Sequence, residues 1–459
     1  MDILLTHGYF LHDDPAEQRV MKPYVPLGIL SLAAYLDSRG FTTQVFDSTF
    51  ATPAAFEAEL TRVRPGVVGI YVNMMTKFSA IRMIAMAKGV GAKVIVGGPE
   101  PAFYSEDFLR SGADVVVIGE AELTLAELLP ALDGGVEALR HIAGITFLDG
   151  DGTVVRTPPR ALLPDIDQLP FPDRNKVALL PYLDAWRSRH GYGSLSLITM
   201  RGCPFTCTWC SHGVYGESYR RRSPRLVADE IEWLLAGHRP EALWFADDVF
   251  TINHRWLFGL EDEIRRRNLR FRYECITRAD RMNEDVVRSL AATGCSRLWI
   301  GSESGSQRVL DAMSRRVRVE QVQEMTRLAQ RHGIEVGMFI MLGYTGETRA
   351  DIEATVRHVR ASRPDVVLTT LAYPIKGTKF YSENQDALVL PSLPFAEWND
   401  RMIDIKGRFS KRFYWFANRR IVNEAALSRM SHQDQKNWSS FAGSFLKAKV
   451  AQLFMSLVR

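Results

Sequence analysis

Over its first 135 residues the chain alternates short runs that are almost wholly apolar with longer stretches that are apolar at every third or fourth position. The runs DILLT, TTQVFDS, VVGIYVN, KVIVGG and ADVVVIGE have the length and β-branched content of strands. Between them PLGILSLAAYLDSRG, AFEAELTRVRP, SAIRMIAMAKGVG and SEDFLRSGA predict helices, and LTLAELLPALDGG closes the series with another. A strand buried on both faces loses the in–out alternation, so these runs predict a parallel sheet covered by helices on both sides. That is a doubly wound α/β sheet, whose ligands sit at the carboxyl ends of its strands. Two loops fall at such ends: GGPEP from Gly97, after the fourth strand, and GEAE from Gly119, after the fifth. Glycine there lets the backbone approach a bulky ligand; spacing alone serves a tight strand-to-helix turn equally well.

The pattern breaks after residue 135. Residues 136–190 hold ITFLDGDGTVVRTPP, a hairpin around Gly150-Asp151-Gly152, and the proline-rich, extended LLPDIDQLPFPDR, and are read as a linker. From 191 to 385 the alternation resumes, with SLSLITM, ALWFA, FRYECIT, SRLWIGS, EVGMFIML and DVVLTTLAY as strands between amphipathic segments. Six such units suit a partial (β/α)6 barrel, a fold that places its chemistry at the carboxyl ends of the strands. Residues 386–459, which include KRFYWFANRR, read as a small helical C-terminal region.

Composition narrows the classes. With 459 residues, 46% of them apolar, the chain can bury the cores of two or three domains. Its net charge of +4 provides no field for nucleic acid. The basic runs YRRRSPR, EIRRRN and SRRVR stand beside acidic residues and read mostly as solvated faces. The chain starts directly on a strand, so no leader peptide is expected, and no transmembrane segment of about 18 uncharged apolar residues is present. SSFAGSFLKAKVAQLFMSLVR carries Lys447 and Lys449 and reads as a terminal docking helix rather than an anchor. Five cysteines without scaffold spacing fit a reducing, cytoplasmic setting.

Three of those cysteines, Cys203, Cys207 and Cys210, lie within eight residues just after the first barrel strand, in RGCPFTCTWCSHGVYG. So compact a loop is a metal site. A closed zinc site needs a fourth ligand, which His212 or a distant group would have to supply. A four-iron cluster normally takes four thiolates, so three leave one iron open to a substrate or cofactor. Cys275 and Cys295, mid-strand and at a helix end, read as small buried hydrophobes.

The pattern Cys203-x-x-x-Cys207-x-Trp209-Cys210 resembles the signature of the radical S-adenosylmethionine (SAM) superfamily. The resemblance implies a [4Fe-4S] cluster on the three cysteines, SAM on the open iron, and Trp209 packed over the cluster. It also implies SAM contacts at later strand ends. Asp247 and Asp248 stand in FADDVF where the family often has a glycine-glycine-glutamate segment for the SAM ammonium, which leaves open which of them, or which carbonyl, serves. Arg278 would pair with the SAM carboxylate. Ser302 and Glu303 in GSESGS would meet the ribose and carboxylate, and Gly343 in LGYTGET lies in the adenine turn, with Thr345 in place of the usual proline. Taken singly each of these is also an ordinary turn, and Ser302 to Ser306 serve equally as a helix cap.

A doubly wound domain ahead of such a barrel, with GGPxP and GExE strand ends, resembles the cobalamin (B12)-binding radical SAM enzymes: class B methyltransferases and anaerobic magnesium-protoporphyrin ester cyclase-like enzymes. This implies a cobalamin-binding-like domain over 1–135, with Gly97, Gly98, Gly119 and Glu120 against the cofactor. The DxHxxG motif that supplies a cobalt ligand in many cobalamin domains is absent, and His7 and His12 lack its spacing, which implies cobalamin held without a protein histidine on cobalt. The expected reaction is methylation of an unactivated carbon of a small molecule or lipid through a 5′-deoxyadenosyl radical and methylcobalamin. The alternative is oxidation or ring formation with the same cofactors. A flavodoxin or ferredoxin is the implied electron donor, and no catalytic acid or base is assigned. RNA methylthiolation is disfavoured, because residues 1–202 contain no cysteine.

Overall fold

The computed structural model describes residues 1–433 and 438–457. The chain forms two compact units, one of Met1–Pro204, Ser211–Ala242 and Pro391–Asp400, the other of Phe205–Cys210, Leu243–Leu390 and Arg401–Arg459.

In the first unit β1 (Ile3–His7), β2 (Thr43–Phe46), β3 (Val67–Tyr71), β4 (Lys93–Gly97) and β5 (Val115–Val117) form a parallel sheet in the order β2-β1-β3-β4-β5. The strand order reverses between β1 and β3, which opens a crevice at their carboxyl ends. The unbroken apolar runs have a direct cause. Ile3 and Leu5 enter the core on one face of the sheet and Leu4 the core on the other. The hairpin around residues 150–152 forms, and its strands β6 (Ile145–Leu148) and β7 (Val154–Arg156) extend the sheet antiparallel from β5. Helix Leu180–His190 went unread in the sequence, although Pro181 opens it, Tyr182, Leu183 and Trp186 are its buried positions, and Gly191 ends it at φ +78°. Residues 391–400 also pack here. The Lys77 ammonium lies 3.6 Å from the Phe395 ring and 4.6 Å from that of Trp398, and Tyr104 donates to Asp400.

Six strands supply the partial barrel: β8 (Ser194–Leu197), and, after the short antiparallel pair β9 (Met200–Arg201) and β10 (Arg220–Arg221), β11 (Ala242–Phe245), β12 (Arg272–Thr277), β13 (Cys295–Glu303), β14 (Glu335–Leu342) and β15 (Val366–Leu371). Within the second unit β12 to β15 are consecutive parallel neighbours. The architecture is therefore the expected one: a doubly wound parallel sheet, then a partial (β/α)6 barrel, then a helical C-terminal region, here the helices Lys411–Gln433 and Trp438–Leu457. Val458 and Arg459, the end of the amphipathic tail, lie outside the described residues. Among the described residues no helix is long and apolar enough to cross a membrane.

Candidate functional site

The cysteine loop turns tightly, with the Cys210 N–H donating to the Cys207 carbonyl at 3.1 Å. Thr208 pins it. Its N–H donates to Met313 O (3.1 Å), its carbonyl accepts from Phe380 N–H (2.7 Å), and its hydroxyl lies 2.6 Å from that of Tyr344. Tyr344 stacks on Phe380 at 4.7 Å. It was missed in the sequence, where the aromatic inside LGYTGET was the available signal. Trp209 packs against the same apolar group, which includes Val309, Met341, Tyr344 and Phe380.

Cys207 is buried, and the guanidiniums of Arg278 and Arg315 donate to its Sγ over 3.5 and 3.6 Å. Arg278 stands just past β12. Its Nε donates to Asp280 (2.9 Å), its Nη2 to the Arg315 carbonyl (2.6 Å), and its plane lies 3.8 Å over the Phe205 ring. Arg315 donates to Gly301 O at 2.6 Å and lies 3.8 Å from Glu303. Burial opposes the charge on Arg315, but Glu303 and Cys207 outweigh it and hold its pKa above the ordinary value. Burial raises the Glu303 carboxyl, against the pull of the two arginines. Two guanidiniums donating to one sulfur fit a cysteine that ligates a cluster, whose sulfurs take such hydrogen bonds. Among the described residues no three His, Cys, Asp or Glu side chains already converge as a metal site. Cys203, Cys207 and Cys210 are candidate ligands by their spacing in one loop, and Cys207 also by its two donors.

The other strand ends are varied. Past β11, Asp247 is buried and Asp248 exposed. Ser302 Oγ lies 2.9 Å from Nε2 of the buried His358, whose pKa burial lowers to about 4, so the ring is neutral. Glu303 holds a left-handed backbone (φ +62°) where β13 loses register with β14, an uncommon conformation for glutamate. Ser306 starts the helix Gln307–Ala312 without a side-chain cap bond; its hydroxyl donates to Asp351 at 2.6 Å. The serines thus tie the strand end to helix Arg349–Ser362 instead of capping the helix that follows. At Gly343 (φ +74°) the N–H donates to Glu347 at 2.6 Å, and a Cβ would meet Leu371 Cδ1 at 2.6 Å. Thr345 donates to Asn384 at 2.6 Å.

The first unit holds a cavity of about 1110 Å³ of atom-free space, partly open to solvent, at the carboxyl ends of its parallel strands. Tyr71, Gly97, Gly98, Gly119 and Glu120 line it. At Gly98 (φ +114°) a Cβ would fall 2.4 Å from the Val72 carbonyl oxygen, so the loop admits no side chain there. Glu120 is fully engaged. It accepts from Arg201 (2.7 Å), Arg220 (2.7 Å) and the Leu163 N–H (2.8 Å), and Arg201 also donates to Glu122. Burial pushes the Glu120 carboxyl up, but these bonds outweigh it and hold it below the usual carboxylate range. In YRRRSPR Arg222 is buried and Arg220 half-buried, which corrects the solvated-face reading of that run; in SRRVR Arg315 is buried while Arg316 and Arg318 are exposed. Arg265 and Arg266 of EIRRRN are exposed, as read.

His7 is buried, with Nε2 3.0 Å from Asp47 and Nδ1 3.2 Å from the Ser48 hydroxyl and 3.3 Å from the Tyr9 N–H. His12 is exposed. Neither lines the cavity, and no histidine does. Its glycine-rimmed lining suits a ligand approached by backbone.

Residues 197–359 match the radical SAM superfamily and residues 19–129 the B12 binding domain. Over 366 residues, 78% of this chain and 77% of the other, the sequence is 30% identical to an uncharacterised methyltransferase of Pyrococcus horikoshii. The chain belongs to the cobalamin-binding radical SAM enzymes. It is also 26% identical over 482 residues to the anaerobic magnesium-protoporphyrin IX monomethyl ester cyclase of Rubrivivax gelatinosus, covering 100% of this chain and 85% of the cyclase. The fold is that of the radical SAM methyltransferase TsrM from Kitasatospora setae, solved with cobalamin and a [4Fe-4S] cluster: TM-score 0.73 at 20% identity, over 98% of this chain and 99% of that one. The cofactors of this cobalamin-binding radical SAM enzyme are accordingly a [4Fe-4S] cluster, SAM and cobalamin.

Proposed function

We propose that this cobalamin-binding radical SAM enzyme methylates an unactivated carbon of a small-molecule or lipid substrate, in the cytoplasm, with electrons from a flavodoxin or ferredoxin. The observation that carries the reading is the pairing, in one chain, of a cysteine loop whose sulfur takes bonds from two arginines with a glycine-rimmed cavity at parallel strand ends. When bound, the cluster with SAM supplies a hydrogen-abstracting radical and cobalamin supplies the methyl group.

The chain's own residues do the rest. Cys203, Cys207 and Cys210 hold the cluster in a cysteine loop that Thr208, Tyr344 and Phe380 fix. Arg278 and Arg315 donate to the Cys207 sulfur. Asp247, Asp248, Ser302, Glu303 and Gly343 form the SAM contacts, and neutral His358 orients the Ser302 hydroxyl. Gly97, Gly98 and Gly119 let the backbone approach the corrin ring. Glu120 keeps Arg201 and Arg220 in place; it does not meet the cofactor as an open acceptor.

Metal analysis of protein made anaerobically with cobalamin tests the assignment. About four irons per chain are expected, along with cobalt, and Cys203→Ala should lose the iron and keep the cobalt. Iron retained in that variant overturns the ligand set. The cyclase relative spans the whole chain, which favours oxidation or ring formation as the second reading. Label from methyl-labelled SAM in the product decides for methylation; turnover without it decides for the second reading.

A further inference from the structure

The last two helices leave apolar surface facing solvent. Helix Trp438–Leu457 packs on helix Lys411–Gln433 through Ala448, Ala451 and Met455, which are at most 7% exposed, and Phe454 stacks on Phe416 at 4.9 Å. Its outer face carries Leu446 (64% exposed), Val450 (40%) and Leu453 (59%), at the i, i+4, i+7 spacing that sets side chains in one stripe, with Phe445 (48%) beside them. Helix Lys411–Gln433 repeats the arrangement: Trp415 and Val422 are exposed at the same spacing, with the Arg419 guanidinium 4.6 Å over the Trp415 ring. Single exposed apolar residues are common on protein surfaces, but contiguous stripes mark interaction sites.

Charge selects the partner. Residues 411–459 hold nine Lys and Arg against two acidic residues, while the whole chain is only +4, so everything before residue 411 is net negative. No acidic residue lies between Trp438 and Leu457. Lys447 and Lys449 are exposed at the edge of the apolar stripe, and the Lys449 ammonium lies 5.7 Å over the Phe445 ring. An apolar stripe edged by lysines, on a helix that is not a membrane span, has the chemistry of a helix lying in the headgroup layer. Its leucines and aromatics enter the acyl boundary, while its lysines reach anionic headgroups along flexible stems.

We propose that this helical pair is a peripheral membrane contact that docks the enzyme on an anionic lipid bilayer. Packing against the neighbouring helix holds the stripe outward already, so docking requires no refolding. The contact would bring the enzyme to substrates dissolved in or held at that surface, whichever reaction it performs on them.

Flotation of the full-length, cofactor-loaded enzyme with vesicles tests this. Vesicles containing phosphatidylglycerol should carry the protein, pure phosphatidylcholine vesicles should carry at least tenfold less, and 0.5 M salt should weaken the binding. Leu446→Glu/Leu453→Glu and Lys447→Glu/Lys449→Glu should each reduce binding at least tenfold. These side chains are exposed, so both variants should fold; quenching of wild-type tryptophan emission by brominated phosphatidylglycerol gives a readout without any variant. Equal partitioning of wild type and variants, or no quenching, overturns the proposal. So does a wild-type dimer, by light scattering, that Leu453→Glu converts to monomer, because the stripe is then a subunit interface.

Discussion

Two arginines with little solvent contact show what the rest of the chain makes of a fixed positive charge. Arg201, in the first unit, meets two carboxylates: Glu120, which it shares with Arg220, and Glu122. Every charge there has an opposite within bonding distance. Arg315, in the second unit, points at the Cys207 sulfur, and its nearest carboxylate, Glu303, is 3.8 Å away with its pKa raised by burial. Arg278 has Asp280 as partner and still directs Nη1 at the same sulfur. The first arrangement is neutral and structural. The second also has a carboxylate for each guanidinium, but both guanidiniums donate in addition to a cysteine sulfur. The cations differ in what they donate to besides their carboxylates.

Breaking the neutral arrangement should have the largest effect on folding. Arg201→Met leaves Glu120 with Arg220 and the Leu163 N–H and leaves Glu122 without its guanidinium. Removing one partner of a buried ion pair costs about 3–5 kcal/mol, so a clear fall in the denaturation midpoint is expected. Replacing the carboxylate as well, in Arg201→Met/Glu122→Gln, should recover part of the loss. A double-mutant cycle of thermal or denaturant unfolding checks both. A loss below about 1 kcal/mol, in the range of surface pairs, would place these charges in contact with solvent.

The two donors at Cys207 should register in the cluster and less in the fold. Arg315→Met removes one donor and one positive charge from beside the sulfur, and hydrogen bonds to cluster sulfurs help set the potential. The expected outcome is a more negative midpoint potential by redox titration with electron paramagnetic resonance, at unchanged iron content. Arg315→Lys keeps the charge and should lie between. An unchanged potential in Arg315→Met makes this arginine as structural as Arg201.

The sequence made one side of this comparison far more legible than the other. The parallel strands could be read because burial on both faces erases alternation, as at Ile3, Leu4 and Leu5. The cysteine loop could be read because its ligand spacing is local. The Arg201–Glu120 pair spans 81 residues and leaves no periodic trace. In SRRVR nothing local separates Arg315 from Arg316, yet the first is 6% exposed and the second lies in solvent. The charge runs looked like surface because sequence shows which charges are adjacent along the chain and not which are enclosed by folding. Helix Leu180–His190 is a different case: its proline, apolar spacing and terminal glycine were all legible, and the proline-rich stretch before it drew the reading towards a linker.

The smallest effect concerns Glu347, the counterpart of Glu120 with the opposite sign. Both carboxylates are buried, but Glu347 accepts a single bond, from the Gly343 N–H, and no guanidinium touches it. Burial, with help from Asp351, raises its pKa from 4.5 to about 7, against weaker pulls from Gly343, Arg408 and Arg308. The folded chain then holds this proton more tightly than the unfolded chain. The stability that follows is fully present below about pH 4.5 and is lost as pH rises through 7, at most about 3 kcal/mol. Glu347→Gln keeps an acceptor for Gly343 and removes the titration, so the variant should gain on the wild type between pH 5 and 8 in matched unfolding curves. Curves that stay parallel across that range would mean an ionised Glu347 in the fold, and the contrast with Glu120 would then lie in burial rather than in charge compensation.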